Sequence, residues 1–365
     1  MRPVYLRGCG LISSLGPNLP QAIEALKKSG REPQRVRLAD GSDWPCFTID
    51  HPGEDWRGRA CQLICAAIAE AGVIADRAAN RNTPLFVASS SLDIGAIEAE
   101  SGEFGDAFFF AEEIAGWLGW IGPVYLVSSA CTSSLQAVQA ASALIGTGEV
   151  DDAVVLGIEL SNRFSISGFA SMQLLTPARP RPLGAGRDGI ALGEAVAVLH
   201  LSNRTARWRV CGGSNLVDGR DPTGAVPETV ARMCKQALSD SGLKPSDIGL
   251  VKLQAAGSPT NDESELSGMA AVFEPMPPLV TLKAVMGHTL GASGAAEIAL
   301  LTACLESGIW PQAGYAFDPG LRHEMAPEKP PAARYILADI LGFGGGHAAV
   351  ILEDTSVRSE EDAEQ

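Results

Sequence analysis

At 365 residues, with 46% hydrophobic and 19% charged side chains, the chain can bury a large core and has room for about two domains. A net charge of −15 argues against nucleic acid or an anionic membrane surface as the main partner, and no apolar run reaches membrane-spanning length. The 40 glycines exceed what loops ordinarily use and point to close packing and backbone-lined sites.

The amino terminus enters a short strand at residues 4–6 that ends at Gly8-Cys9-Gly10, with no signal-peptide core ahead of it. A cytoplasmic protein is therefore expected. Residues 21–28 and 62–72 read as amphipathic helices, the second rich in alanine. Between them, residues 31–59 are polar and proline-punctuated, a loop with one short strand at 46–49. Residues 84–88 and 123–127 are strand-like, and 152–158 form a continuous apolar run of the parallel-sheet kind. Residues 355–365 carry four acids and one base, with only Val357 and Ala363 apolar, and read as an acidic disordered tail.

The eight cysteines are scattered, with no Cys-x-x-Cys pair, which suits buried thiols in a reducing cytosol. No metal set or cofactor is expected from them.

Two stretches of the chain echo each other in order. Leu6-Arg-Gly-Cys-Gly10 returns as Arg209-Val-Cys-Gly-Gly213, and Ala195-Val-Ala-Val-Leu-His-Leu201 as His347-Ala-Ala-Val-Ile-Leu-Glu353. A small-residue helix after Cys131 runs to Gly148, and its counterpart starts near His288 and runs to Gly308. An internal duplication follows, with halves 1–204 and 205–354. Halves packed about a pseudo-twofold axis would bring equivalent helix starts together and set Cys131 near His288.

Cys131 itself sits between a strand and a helix, in Ser128-Ser-Ala-Cys-Thr-Ser-Ser134. The positive end of the helix dipole favours thiolate there, and the residue's own N–H can face a developing oxyanion. In isolation, a space-filling thiol is the favoured reading of the segment, as helix capping is for His288.

Other segments decide between these. Ser129-Ala-Cys-Thr-Ser-Ser134 resembles the nucleophile motif of the β-ketoacyl-acyl-carrier-protein synthases of the thiolase superfamily. Arg181-Pro-Leu-Gly-Ala-Gly-Arg-Asp-Gly-Ile-Ala-Leu-Gly-Glu194 is similar to their Arg-Pro-Phe-Asp…Arg-Asp-Gly-Phe…Gly-Glu stretch. Lys283-Ala-Val-Met-Gly-His-Thr-Leu-Gly-Ala-Ser-Gly-Ala-Ala-Glu297 resembles their Lys…Gly-His…Gly-Ala-x-Gly…Glu block. Leu341-Gly-Phe-Gly-Gly-Gly-His-Ala348 resembles their Phe-Gly-Phe-Gly-Gly-Thr-Asn-Ala loop, and Gly8-Cys-Gly-Leu-Ile-Ser-Ser-Leu-Gly16 their opening. The matches fall in family order over nearly the whole chain.

The resemblance implies a thiolase-like α/β fold, two duplicated βαβαβ-type halves in a five-layer α-β-α-β-α arrangement, assembled as a dimer. It implies that Cys131 accepts an acyl chain from a carrier-protein thioester, that a neutral His288 donates a hydrogen bond to the malonyl thioester, and that Lys283 organises the site with Glu297 as its acid. The backbone around Phe343 and Gly344 would supply the second oxyanion donor, and Leu341 would gate the acyl pocket where the family places phenylalanine. His347 stands for the family's asparagine and is read as structural, as are His51, His200 and His323.

The main departure from the pattern is at a catalytic position. The family's Ala-His-Gly-Thr-x-Thr block corresponds to Ala255-Ala256-Gly257-Ser258-Pro259-Thr260, so Ala256 stands where a catalytic histidine belongs. Ser258 and Thr260 remain to position a thioester. Two readings follow: an acyltransferase of the ketosynthase type with impaired decarboxylative condensation, or a chain-length-factor-like partner of a complete ketosynthase, as in type II polyketide or aryl polyene systems. Either involves an acidic acyl carrier protein, and Arg204, Arg207 and Arg209, or Arg179, Arg181 and Arg187, are candidate docking clusters.

Overall fold

The computed structural model describes residues 1–28, 30–50, 55–74, 80–100, 106–321 and 331–357. In chain order the first half gives β1 (Val4–Ser13), α1 (Leu19–Lys27), β2 (Gln34–Arg37), β3 (Asp43–Phe47), α2 (Trp56–Glu70), β4 (Leu85–Ala88), α3 (Ile94–Glu100), α4 (Ala107–Leu118), β5 (Val124–Val127), α5 (Ser133–Thr147), β6 (Asp152–Glu159), α6 (Arg163–Ser171), β7 (Leu192–Gly193) and β8 (Ala195–Ser202). The second half gives β9 (Trp208–Val217), α7 (Pro227–Ser241), β10 (Ile248–Lys252), α8 (Pro259–Ala270), β11 (Leu279–Val280), α9 (Lys283–Met286), α10 (Ser293–Ser307), β12 (Tyr335–Leu341) and β13 (Gly346–Asp354).

Ten strands join in the order β11-β10-β12-β13-β9-β1-β8-β6-β4-β5, and β2-β3-β7 form a small separate sheet. The order is symmetric about the β9–β1 seam. On each side the first strand of the set lies at the centre, followed outward by the fifth, fourth, second and third. The two sets divide between Ser202 and Trp208. The helix starts match as well: Ala130 (φ +52°) stands three residues before α5, and Leu290 (φ +43°) three residues before α10. Both helices have 15 residues and end at a left-handed glycine, Gly148 or Gly308, where the missing Cβ removes the steric cost.

Strand alternation builds the layers. On β8, Ala195, Ala197, Leu199 and Leu201 face the central core, while Val196 and Val198 face α2 and α4. On β12 and β13, Ile336, Ala338, Ala348 and Val350 face the centre, and Leu337, Ala349 and Ile351 face α7 and α8. Helices α5 and α10 lie between the half-sheets, so outer helices, half-sheet, central helices, half-sheet and outer helices stack in turn. Gly294 allows the central pair to touch, since a Cβ there would lie 2.7 Å from the Leu135 nitrogen.

Three local expectations change. Strand β1 runs through Gly8 and Gly10 instead of ending there. These glycines admit α2, because a Cβ on either would lie 2.1 or 2.2 Å from the carbonyl oxygen of Ala71 or Ala67. Helix α2 begins at Trp56, ahead of its apolar stretch, because Asp55 accepts from the Gly58 N–H at 2.6 Å. The expected single strand at 46–49 is a hairpin of β2 and β3. The start of the proposed tail is anchored, with the Thr355 N–H donating to the Arg207 carbonyl at 2.9 Å. The rest of the tail, His51 and His323 lie outside the described residues.

Candidate active site

Cys131 follows the left-handed Ala130 at the end of the β5 turn. The Ser129 N–H donates to Ser133 Oγ at 2.9 Å, and Ser133 Oγ donates to the Ala130 carbonyl at 2.6 Å. These bonds hold a conformation an alanine disfavours, costing about 1–3 kcal/mol, and aim the thiol into a cleft of about 560 Å³. Cys131 is buried, with only 3% of its surface exposed.

Loop 287–292 of the other half delivers the partner. His288 Nε2 lies 3.1 Å from Cys131 Sγ, and its Nδ1 lies 3.1 Å from Ser293 Oγ. The backbone N–H groups of Phe343 and Cys131 face the sulfur. Gly344 contributes differently: its N–H donates to the Pro222 carbonyl at 2.8 Å, so it offers nothing to an oxyanion. The Phe343 ring stacks on Phe169 of α6 at 5.3 Å. Leu341, Phe343 and Ala256 all line the cleft with Cys131 and His288. Ser258 lines it too, but Thr260 is exposed on α8 and does not, because the helix turns it outward.

Lys283 pairs with Glu297 of α10, as the motif implies, but a second lysine shares that carboxylate. Lys252, at the end of β10, reaches Glu297 and donates to the Asp339 carbonyl at 2.6 Å. All three side chains are fully buried. Lys252 carries a signal that sequence reading passed over: a lysine within the apolar run of a central strand requires a buried partner.

Burial dominates the titration of this centre. It pushes the Cys131 thiol up to about 11, although the Phe343 N–H and the charge of Lys283 pull the other way. The helix start therefore does not make a resting thiolate, contrary to expectation. Burial, with the charges of Lys283 and Lys252, holds His288 well below its ordinary value and hence neutral. The resting pair is thiol and imidazole.

The remaining motif residues hold the walls. Glu194 pairs with Arg59 at 2.7 Å and accepts from the Ile49 N–H at 2.6 Å. The Gly189 N–H donates to the Gly257 carbonyl at 3.1 Å, while Asp262 accepts from Leu183, Ala256 and Gly257. Glu159 accepts from Ser91 and from Gly291, tying the two halves together beside the site. His200 lies 2.9 Å from Asp152, and buried His347 has Nδ1 without a partner among the described residues.

Neither basic cluster is a free cationic patch. Arg204, Arg207 and Arg209 pair with Asp152, Asp354 and Glu353, and Arg179 and Arg187 with Glu32 and Asp318. Among the described residues no group of three or more side chains could hold a metal, and no helix is long and apolar enough to cross a membrane.

Two family models match the chain, the beta-ketoacyl synthase N-terminal domain at residues 60–206 and its C-terminal domain at residues 212–314. The lovastatin diketide synthase mokB of Monascus pilosus is 28% identical over 80% of this chain, a stretch that is only 13% of that protein. A putative polyketide beta-ketoacyl synthase 1 of Streptomyces cyaneus is 30% identical over 66% of this chain and 63% of its own. A chain of the complex of the ketosynthase ApeO with its chain length factor ApeC, from Xenorhabdus doucetiae, superposes with a TM-score of 0.84 over 97% of this chain and 98% of the matched chain, at 24% identity. Chain order, strand topology and family models agree, and the chain belongs to the beta-ketoacyl synthase family, on a thiolase-like fold.

Proposed function

We propose that this chain is an acyltransferase of the ketosynthase type that takes an acyl group from a carrier-protein thioester onto Cys131. The 3.1 Å approach of Cys131 Sγ to His288 Nε2 carries the reading. As a thioester carbonyl enters, the thiol proton passes to the neutral imidazole and sulfur attacks the carbonyl carbon. The oxyanion meets the Phe343 and Cys131 N–H groups. The carrier thiolate leaves with the proton from His288, and the acyl group stays on Cys131.

Condensation asks more of the site. Enolate charge at the malonyl thioester oxygen would have His288 as a donor, but Ala256 offers none. Loss of one such donor costs about 3 kcal/mol, two to three decades in rate.

The missing donor also supports a second reading, a non-condensing partner of a complete ketosynthase. Strand β5 is a sheet edge that exposes Tyr125, and α4 beside it exposes Phe109, a surface suited to a homodimer or heterodimer. In both readings the halves 1–204 and 205–354 act as one unit, and the eight free cysteines suit a cytoplasmic location.

Intact-mass measurement after incubation with acyl-carrier protein, alone and with a co-expressed ketosynthase, tests this. A one-acyl mass gain lost in Cys131→Ala is expected. A protein that stays unmodified yet co-purifies with a complete ketosynthase would replace the transferase reading with the partner one.

A further inference from the structure

The wall where the histidine is missing carries a side chain with no assigned use. Leu250 and Ala256 pack into the central core, whereas Val251, Leu253 and Ala255 pack into the outer one. The period of two therefore places Lys252 and Gln254 on the same side as Ala256. Lys252 is already engaged with Glu297. Gln254 is only 9% exposed, lines the cleft with Cys131 and His288, and has its Oε1 buried without a partner among the described residues.

Its backbone is fixed nonetheless. The N–H groups of Gln254 and Ala255 donate to the two carboxylate oxygens of Glu265, at 2.6 and 2.8 Å. The residue is thus held in place while its amide is left without a protein partner, an arrangement that calls for a bound group. Half a turn about the last side-chain bond exchanges carbonyl for NH₂ at the same place, so a carbonyl oxygen brought into the cleft can be met by a donor.

We propose that Gln254 donates a hydrogen bond from Nε2 to the thioester carbonyl oxygen of a malonyl-type thioester bound beside Cys131, as the second donor next to His288. This rests on the acyl-thioester function proposed above and names the residue that recognises the substrate there. An amide donates but takes up no proton at neutral pH. The site then polarises a thioester without a second base.

The test uses full-length Cys131→Ala protein and a malonyl-pantetheine thioester labelled with ¹³C at the thioester carbonyl. Binding is followed by titration and hydrogen bonding by the carbonyl resonance, which moves downfield when donors engage it. Adding Gln254→Leu is expected to weaken binding about tenfold and reverse a large part of the shift. Gln254→Met, which keeps the length of the side chain but removes the donor, should do the same and guards against a packing defect. An unchanged shift and affinity in both variants would overturn the role of Gln254 while leaving the acyl-thioester function standing. Failure of the parent Cys131→Ala protein to bind the thioester would overturn both.

Discussion

Glu297→Gln offers a direct test of how the centre is held. The substitution keeps the volume of the side chain but leaves Lys283 and Lys252, both fully buried, with no carboxylate between them. Removing one partner of a buried ion pair costs about 3–5 kcal/mol. An independent limit comes from proton loss. A lysine that must be neutral at pH 7, against an ordinary value near 10.4, costs about 4.6 kcal/mol at roughly 1.36 kcal/mol per pH unit. Burial already lowers Lys283, and Glu297 opposes that, so Lys283 is the group that gives up its proton. The expected deficit is about 4 kcal/mol at pH 7, or about 8 °C at roughly 2 °C per kcal/mol for a long chain. The sign with pH follows. In the variant the folded state binds fewer protons than the unfolded one, so stability recovers as pH rises towards 10.4. Urea unfolding of both proteins at pH 7 and pH 9 should show the deficit shrink by about 2.7 kcal/mol for one lysine. A deficit below about 1 kcal/mol at pH 7, or one equal at the two pH values, would refute the reasoning.

Two further outcomes are expected. Iodoacetamide should alkylate Cys131 at a rate that climbs about tenfold per pH unit from 7 to 9 without levelling, because the thiol is held up at about 11. Lys283→Met should move that profile further alkaline, and a plateau near pH 7 would contradict the buried thiol. Gly345→Ala should destabilise by about 2–4 kcal/mol in thermal unfolding, since φ is +77° and the new Cβ would sit 1.7 Å from the Asp218 carbonyl oxygen. Gly314→Ala, at φ +69° with nothing within 4 Å, is the control and should cost about 1 kcal/mol.

Much of this molecule is written locally. The strand-turn-helix at Cys131, the Lys283-to-Glu297 block and the glycine loop at Phe343 are short motifs, legible wherever they fall. The duplication was legible too, because equivalent strands and helices repeat in the same order, and packing two such halves face to face brings their helix starts together. What the residues alone could not decide depends on distance through space. Helix dipole and burial act on the same thiol in opposite directions, and only the depth of Cys131 shows that burial prevails. Lys252 is a charge in an apolar strand whose partner, Glu297, lies on α10 and is found only in the folded chain. The arginine clusters looked cationic until the fold placed an acid beside nearly every one. By itself the sequence named residues that the fold brings to one cleft, Cys131, His288, Leu341, Phe343 and Ala256. The tertiary structure decided their protonation and their partners, because both are set by desolvation and by neighbours far away in the chain.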